Sequence, residues 1–519
     1  MNVRITQNSK TDRSKNTYQI QNINNVYNIS PLTRKILLIG IITFISLLII
    51  GLTSFIIIVK IDEKKNNDNN NVSIYNTKTN KSDNYYYFPT DLNDIDEDDD
   101  DNYEEENCFD DANDEINGIK SVNGICYKYY FKAIYESHFE NEKIKLFNYY
   151  YLFDIRIIII DNKIINLKNY YYYFSVPGKH EVYILLKIRS NSLEQLFYEI
   201  DKITYISFTK YFSMKKVTNI SGLFYNCFSL TSIDLSNFNT NNIEDMSFMF
   251  YGCNNLTAIN ISNFDISNVI YMKAMFYNCL SLISIDLYNF NTSNVIDMSF
   301  MFYGCTSLTS IILSNFDTSN VIYMKAMFYN CLSLISIDLY NFNTSNVIDM
   351  SYMFYECNNL TAINISNFDT SNVIYMDTMF YNCLSLILLD LSRFNTSKVK
   401  DLSHMFYGCN NVTSINLSNF DTSNVIYMNS MFENCLSLSL LDLSQFNTIK
   451  VKDLSFMFYG CTSLTSINLS NFDTSNVIYM KAMFYNCLSL ISIDLYNFNT
   501  NNVIDMSYMF YGFYFFNFN

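Results

Sequence analysis

CLSLISIDLYNFNTSNVIDMSFMFYG, residues 279–304, is the stretch that decides the fold. It opens on Cys279, and Cys305 opens the same pattern again 26 residues later. Cysteine recurs at this interval from Cys227 to Cys487 without insertion or deletion. Self-similarity at a fixed period of some 20 to 50 residues is the mark of a solenoid, in which no unit buries its apolar face alone and the array stands as one stack. The apolar residues Leu282, Ile285, Leu287, Phe290, Val295, Met298, Met301 and Phe302 return in step, for example as Leu464, Ile467, Leu469, Phe472, Val477, Met480, Met483 and Phe484. Ile285 and Leu287 alternate with polar residues, as in a short strand. Val295, Met298, Met301 and Phe302 follow i, i+3, i+6, i+7, one face of a helix. Between them, Asn291-Thr292-Ser293-Asn294 offers N-cap side chains, and Asn294 with Asp297 has capping-box spacing. Each unit therefore predicts strand, turn, short helix and return. The expected architecture is an α/β solenoid, a parallel sheet on one side and helices on the other.

Outward from this stretch the pattern holds over residues 193–512, about twelve units. Leu196, Phe197, Ile200, Ile203, Ile206 and Phe208 form a variant first unit, and the aromatic tail 513–519 follows the last. Units ending Tyr-Asn-Cys alternate with units ending Gly-Cys or Glu-Cys, and Val269–Met298 is identical to Val321–Met350, so the array grew by copying pairs of units. Before it, residues 120–192 hold short Tyr/Ile-rich runs at Tyr127–Tyr135, Ile155–Ile160, Tyr170–Phe174 and Glu181–Ile188, with Pro177-Gly178 as a turn between the last two. They predict a small β-sandwich-like module. His180, just after the turn, reads as a surface or packing residue.

Residues 60–119 are polar, and Asp91–Glu115 carries 15 acidic residues and no Lys or Arg. Such a run repels itself and predicts a disordered, solvated stalk. Ile36–Val59 is an uncharged run of 24 residues. At ~1.5 Å per residue it is long enough to cross a bilayer. Six Lys or Arg precede it within residues 1–35, while its far side soon turns acidic. The charge bias predicts a signal anchor with residues 1–35 as a cytoplasmic tail and the rest outside. The net charge of −16 argues against nucleic acid as a partner.

The unit Met-Phe-x-x-Cys-x-x-Leu-x-x-Ile-Asp-Leu-Ser-x-Phe-Asp-Thr-Ser-x-Val resembles the BspA-like leucine-rich repeat, which is related to surface lipoprotein repeats of mycoplasmas. Gly178-Lys179-His180-Glu181-Val182 is similar to the β region that precedes such arrays in protist members. The resemblance implies a leucine-rich-repeat stack in a cell-surface protein associated with adhesion to host or matrix proteins. It carries no catalytic residues, and Met246, Phe250, Cys253 and Leu256 match its scaffold positions.

One Cys per unit, set among Leu, Met and Phe, predicts buried thiols, with disulfides between neighbouring units as the competing arrangement. No metal or cofactor is expected, because zinc needs converging ligands and no phosphate loop or nucleophile elbow is present. His138, His180 and His404 lie in unrelated regions, so no enzymatic activity is expected. Seven residues after each Cys an outward position alternates between Asp and Asn, with Ile312 as the one exception; the alternation relieves like-charge repulsion between stacked strands. Two residues further, Tyr288, Tyr340 and Tyr496 replace Ser. Exposed Tyr is a favoured contact residue, so Asp286, Tyr288, Asp338, Tyr340, Asp494 and Tyr496 are the ligand-contact candidates. The expected function is a membrane-anchored surface protein that recognises an extracellular protein or glycan through its repeats. A transmembrane receptor and a structural coat protein are the alternatives.

Overall fold

The computed structural model describes residues 106–107, 119–122, 125–128, 131–188 and 190–512. The expected membrane span Ile36–Val59, the tail 1–35, nearly all of the stalk 60–119 and the aromatic tail 513–519 lie outside the described residues. Among the described residues, no helix is long and apolar enough to cross a membrane.

Alternating side chains with β-branched or aromatic residues on one face give the first part of the chain its strands. β1 is Glu106–Asn107, at the far end of the expected stalk, β2 Ile119–Val122 and β3 Ile125–Lys128; they form a sheet in the order β1-β3-β2. β4 (Phe131–Ser137), β6 (Ile155–Ile160), β7 (Lys163–Ile165), β9 (Gly178–Leu186), β10 (Ile203–Phe208) and β11 (Ser232–Asp234) make a six-stranded sheet ordered β11-β10-β4-β9-β6-β7. β5 (Glu142–Lys145) pairs antiparallel with β8 (Tyr171–Phe174). The expected runs at Ile155–Ile160, Tyr170–Phe174 and Glu181–Ile188 correspond to β6, β8 and β9, whereas the run expected at Tyr127–Tyr135 is divided between β3 and β4; the Pro177-Gly178 turn joins β8 to β9. In β4, Phe131, Ala133, Tyr135 and Ser137 point inward on alternate positions. β9 buries both faces in its second half, because Tyr183 and Leu185 pack with Val122 and Ile159 on the side away from the main core.

The large sheet does not end with the module. β10, the strand of the variant first unit, pairs antiparallel with β4 on one side and parallel with β11, the strand of the next unit, on the other. The module is thus the end cap of the solenoid: it covers the first coil's open strand edge and shares one core with the stack.

Within the stack the strand side is as expected, with Ser336–Asp338 parallel to Ala362–Asn364 and Ser414–Ile415, Leu440–Leu441 and Ser466–Ile467 in register. The opposite side corrects the sequence reading, because the short helices are absent. The segment after Val295 uses its N–H groups alternately. Met298, Phe300, Phe302 and Gly304 donate to Tyr323, Lys325, Met327 and Tyr329 of the next coil, while Met301, Tyr303 and Cys305 close three-residue turns on Met298, Phe300 and Phe302. No i to i−4 ladder can form. Two residues per coil hold left-handed backbone, such as Phe300 at φ 61° and Gly304 at φ 70°. A helix is ~10 Å wide with its side chains, whereas stacked strands are ~4.8 Å apart, so tightly stacked coils exclude one. The inward side chains Val295, Met298, Met301 and Phe302 are fully buried all the same; a string of turns meets that spacing as well as a helix does. The capping-box expectation falls with the helix, since Asn294 Nδ2 donates to Ser267 O of the preceding coil at 2.7 Å.

Candidate functional site

Each coil presents to solvent only what its ladders leave over. Inside, all eleven repeat cysteines are free and buried. Each thiol donates to a Phe carbonyl of the coil before, as from Cys305 Sγ to Phe276 O at 3.1 Å. Burial pushes the Cys305 and Cys357 thiols up to about 12, so they stay protonated and inert. The side chains of Cys108 and Cys126 lie outside the described residues. Buried threonines clamp successive coils, Thr292 Oγ1 donating to Asp317 O at 2.8 Å. The asparagines ten residues after nine of the eleven repeat Cys do likewise, Asn289 Nδ2 donating to Ser262 O at 3.0 Å. Phe276, Phe302, Phe328 and Phe354 stack 5.6–5.7 Å apart inside. Along the turn side, half-buried tyrosines from Tyr198 to Tyr407 stack ring on ring, with 4.2 Å between Tyr277 and Tyr303. Glu433 takes the next place and interrupts the column.

The alternation of unit types has a packing cause. Asn278 and Asn382 adopt left-handed backbone immediately before their Cys. Each lays its side chain over the glycine of the next coil, where a Cβ on Gly304 or Gly408 would collide with the Asn Oδ1. Glu356, facing Asn330, is the exception.

The six candidates all lie on the outer strand face. Tyr288, Tyr340 and Tyr496 are 61%, 50% and 93% exposed, and among the described residues none of their hydroxyls has a hydrogen-bond partner. Asp286, Asp338 and Asp494 are also exposed, but each has a structural task. Its Oδ1 accepts the N–H of the Tyr two residues on, at 3.0, 3.0 and 2.9 Å. Asp338 Oδ1 accepts Asn364 Nδ2 from the adjacent coil as well, at 3.0 Å, so the Asp/Asn alternation makes a bond where two aspartates would repel. The Asp286–Tyr288 and Asp338–Tyr340 pairs stand two coils apart, ~10 Å at strand spacing. Asp494–Tyr496 stands six coils further on and is not brought to them.

Two features of the surface escaped the sequence reading. Leu388 and Leu440 lie on the same strand face at 76% and 65% exposure. Ser or Ala fills their place in the other coils, and that break in the repeat was the available signal. On the turn side Tyr271, Tyr323, Tyr375, Tyr427 and Tyr479 are exposed and alternate, coil by coil, with Asp297, Asp349, Asp401, Asp453 and Asp505 in one unbroken parallel ladder.

A third feature lies in the module. His180 is buried, and its Nδ1 stands 2.6 Å from Asp161 Oδ2 and its Nε2 3.0 Å from Ser137 Oγ. The spacings are those of a Ser-His-Asp triad. The surroundings differ from an active one. Ser137 is 2% exposed and donates to Val176 O at 2.9 Å, and His180 Nε2 meets the same carbonyl at 2.9 Å. Phe174 lies against the imidazole, with ring centroids 4.2 Å apart. As arranged, the group ties the β8–β9 turn to β4 and to the β6–β7 hairpin.

The stacked coils and their outward rows define the class: a repeat solenoid capped at one end by a β module. The repeats match the family described as Mycoplasma protein of unknown function, DUF285, over residues 191–312, 281–386, 353–441, 382–487 and 439–519. Together these cover more than half of the chain, and the protein belongs to that family. No curated protein matches it. Among solved structures it is similar to the functional domain of InlJ from Listeria monocytogenes, described as including a cysteine ladder, at 14% identity and a TM-score of 0.13 over 52% of this chain and 69% of that one.

Proposed function

We propose that this is a membrane-anchored surface protein of the BspA-like kind, which recognises an extracellular protein or glycan through the strand face of its repeats and catalyses nothing. The observation that carries this reading is the pair of outward tyrosines Tyr288 and Tyr340, exposed and with hydroxyls unbonded among the described residues, on coils where Asn289, Thr292, Asn341 and Thr344 are engaged in holding the stack together. A repeated pattern makes later contacts intramolecular, so weak individual contacts add to a firm attachment. The charge bias around Ile36–Val59 supports an outside location for the repeats.

Replacing Tyr288, Tyr340 and Tyr496 by Ser installs the residue of the sister coils, so the melting temperature should hold. Adhesion of beads coated with the full chain to host-cell or matrix surfaces should fall several-fold. Adhesion equal to the parent's would move recognition off this face. Orientation is tested separately by adding protease to intact cells: loss of the repeats supports the topology, and their survival while a surface marker is cut refutes it.

A further inference from the structure

Two coils break the pattern on a different outer row, seventeen residues after the Cys. That row is isoleucine in every coil from Ile270 to Ile374 and again at Ile426, Ile478 and Ile504, but Lys400 and Lys452 replace it in between. Two residues earlier the row is asparagine from Asn268 to Asn502, except for Lys398 and Lys450. The four lysines therefore fall in two pairs, on two coils separated by one ordinary coil.

The backbone fixes their register. Ile426 N donates to Lys400 O at 2.8 Å, Lys452 N to Ile426 O at 2.9 Å and Ile478 N to Lys452 O at 2.8 Å. One residue per coil at strand spacing sets the two pairs ~10 Å apart. All four side chains are exposed. Lys398 and Lys450 are steadied by Asn372 Oδ1 and Asn424 Oδ1 of the preceding coils, at 2.5 and 2.6 Å. Lys400 and Lys452 make no ion pair or hydrogen bond among the described residues. The next residues, Asp401 and Asp453, are half-buried and accept the N–H groups of Ser403 and Ser455 at 2.8 Å. Asp421, which faces Lys450, is held first by Ser423. The result is a positive patch on a chain of net charge −16.

Beside the patch runs an open groove of about 660 Å³, lined by the pair Lys450 and Lys452 and by Ile426, Ile449 and Ile478, with the pair Lys398 and Lys400 outside it, two coils from Lys450 and Lys452. Asn476 and Asn502 complete it; their Nδ2 groups donate to Ile449 O and Ser475 O at 2.7 and 2.6 Å, which leaves the Oδ1 atoms to accept from a ligand.

We infer that this groove binds a linear sulfated polysaccharide. Ammonium pairs separated by two coils suit anionic substituents on alternate rings of an extended chain. The isoleucine floor suits the C–H faces of those rings, and the free amide oxygens suit their hydroxyls. An acidic peptide fits less well: the row's N–H and C=O groups are already bonded coil to coil, so no strand edge is offered for it to pair with.

The test uses the full chain with fluorescent dextran sulfate as probe, alongside uncharged dextran and polyglutamate. The parent should bind dextran sulfate, more weakly as salt rises, and should ignore uncharged dextran. The variant K398N/K400I/K450N/K452I, which carries only residues of sister coils, should melt with the parent and bind at least tenfold more weakly. K400R/K452R should bind like the parent, and so should the Tyr→Ser variant of the strand face, which separates this site from the proposed recognition face. Undiminished binding by the fourfold variant overturns the assignment, as does polyglutamate binding as tightly as dextran sulfate.

Discussion

The β module and the repeat stack share one core and one sheet but hold together differently. In the module every contact is particular: Tyr135 sits opposite His180 across β4 and β9, and Ser137, His180 and Asp161 meet from three separate places in the chain. In the stack most contacts are members of a series, and an inner Phe such as Phe302 finds its own kind one coil away on either side. A series tolerates loss at its end and resists it in its middle; a particular contact has no neighbours to share the loss. That difference can be measured.

The largest effect is expected from emptying a place in the inner Phe column. Phe354 lies between Phe328 and Phe380, 5.6 Å from each. Phe354→Ala should cost about 3–5 kcal/mol. Phe510, which stacks on Phe484 at 5.9 Å, is only half-buried where Phe354 is fully buried, and Phe510→Ala should cost clearly less. Chemical denaturation of the two variants makes the comparison. Equal losses would mean that the stack does not behave as a series.

Next comes Gly304→Ala, which puts a Cβ on a left-handed residue and against Asn278 Oδ1. A loss of about 1–3 kcal/mol is expected from strain and collision together. Adding Asn278→Ala should recover the part due to collision, and a double-mutant cycle reads that part directly. Strict additivity would remove the packing explanation of the two-unit period.

In the module, Ser137→Ala should lower stability by about 1–2 kcal/mol, because His180 loses a buried partner. A fluorophosphonate probe should leave Ser137 of the native protein unlabelled. Labelling would turn the buried triad into a reactive one.

The smallest effect is a gain. Glu433 stands half-buried in the gap of the tyrosine column, and burial pushes its carboxyl above the ordinary range. A carboxyl raised in the folded state costs nothing while protonated and weakens the fold as pH climbs through its folded pKa. Glu433→Tyr should therefore stabilise by about 0.5–1.5 kcal/mol through ring stacking. The gain should be greater at pH 8 than at pH 4, and a gain independent of pH would mean that Glu433 is not held in a burying site.

The period, the inward apolar set, the thiol ladder and the module's strands were legible because each rests on local alternation or strict recurrence. The turn side was misread because Val295, Met298, Met301 and Phe302 carry a spacing common to a helix and to a flat series of turns. What separates the two is the left-handed residue at Phe300 and its equivalents, occupied in other coils by Ala274, Tyr352 and Thr378, residue types that give no warning of it. The Ser137–His180–Asp161 group was hidden for another reason: its members are far apart in sequence and only the pairing of β9 with β4 on one side and β6 on the other joins them. The lysine pairs were visible as a break in two rows, and the groove beside them needed the coils to be stacked.

The central claim is that the repeats form one continuous stack closed to solvent within, so that only its outer rows are free to act. Counting maleimide-labelled thiols by mass tests it most directly. The native full chain should take up label at no more than two of its 13 cysteines, Cys108 and Cys126. Denaturant without reductant should then expose the remaining eleven. Extensive labelling of the native protein, or a need for reductant to expose the repeat thiols, would contradict the claim.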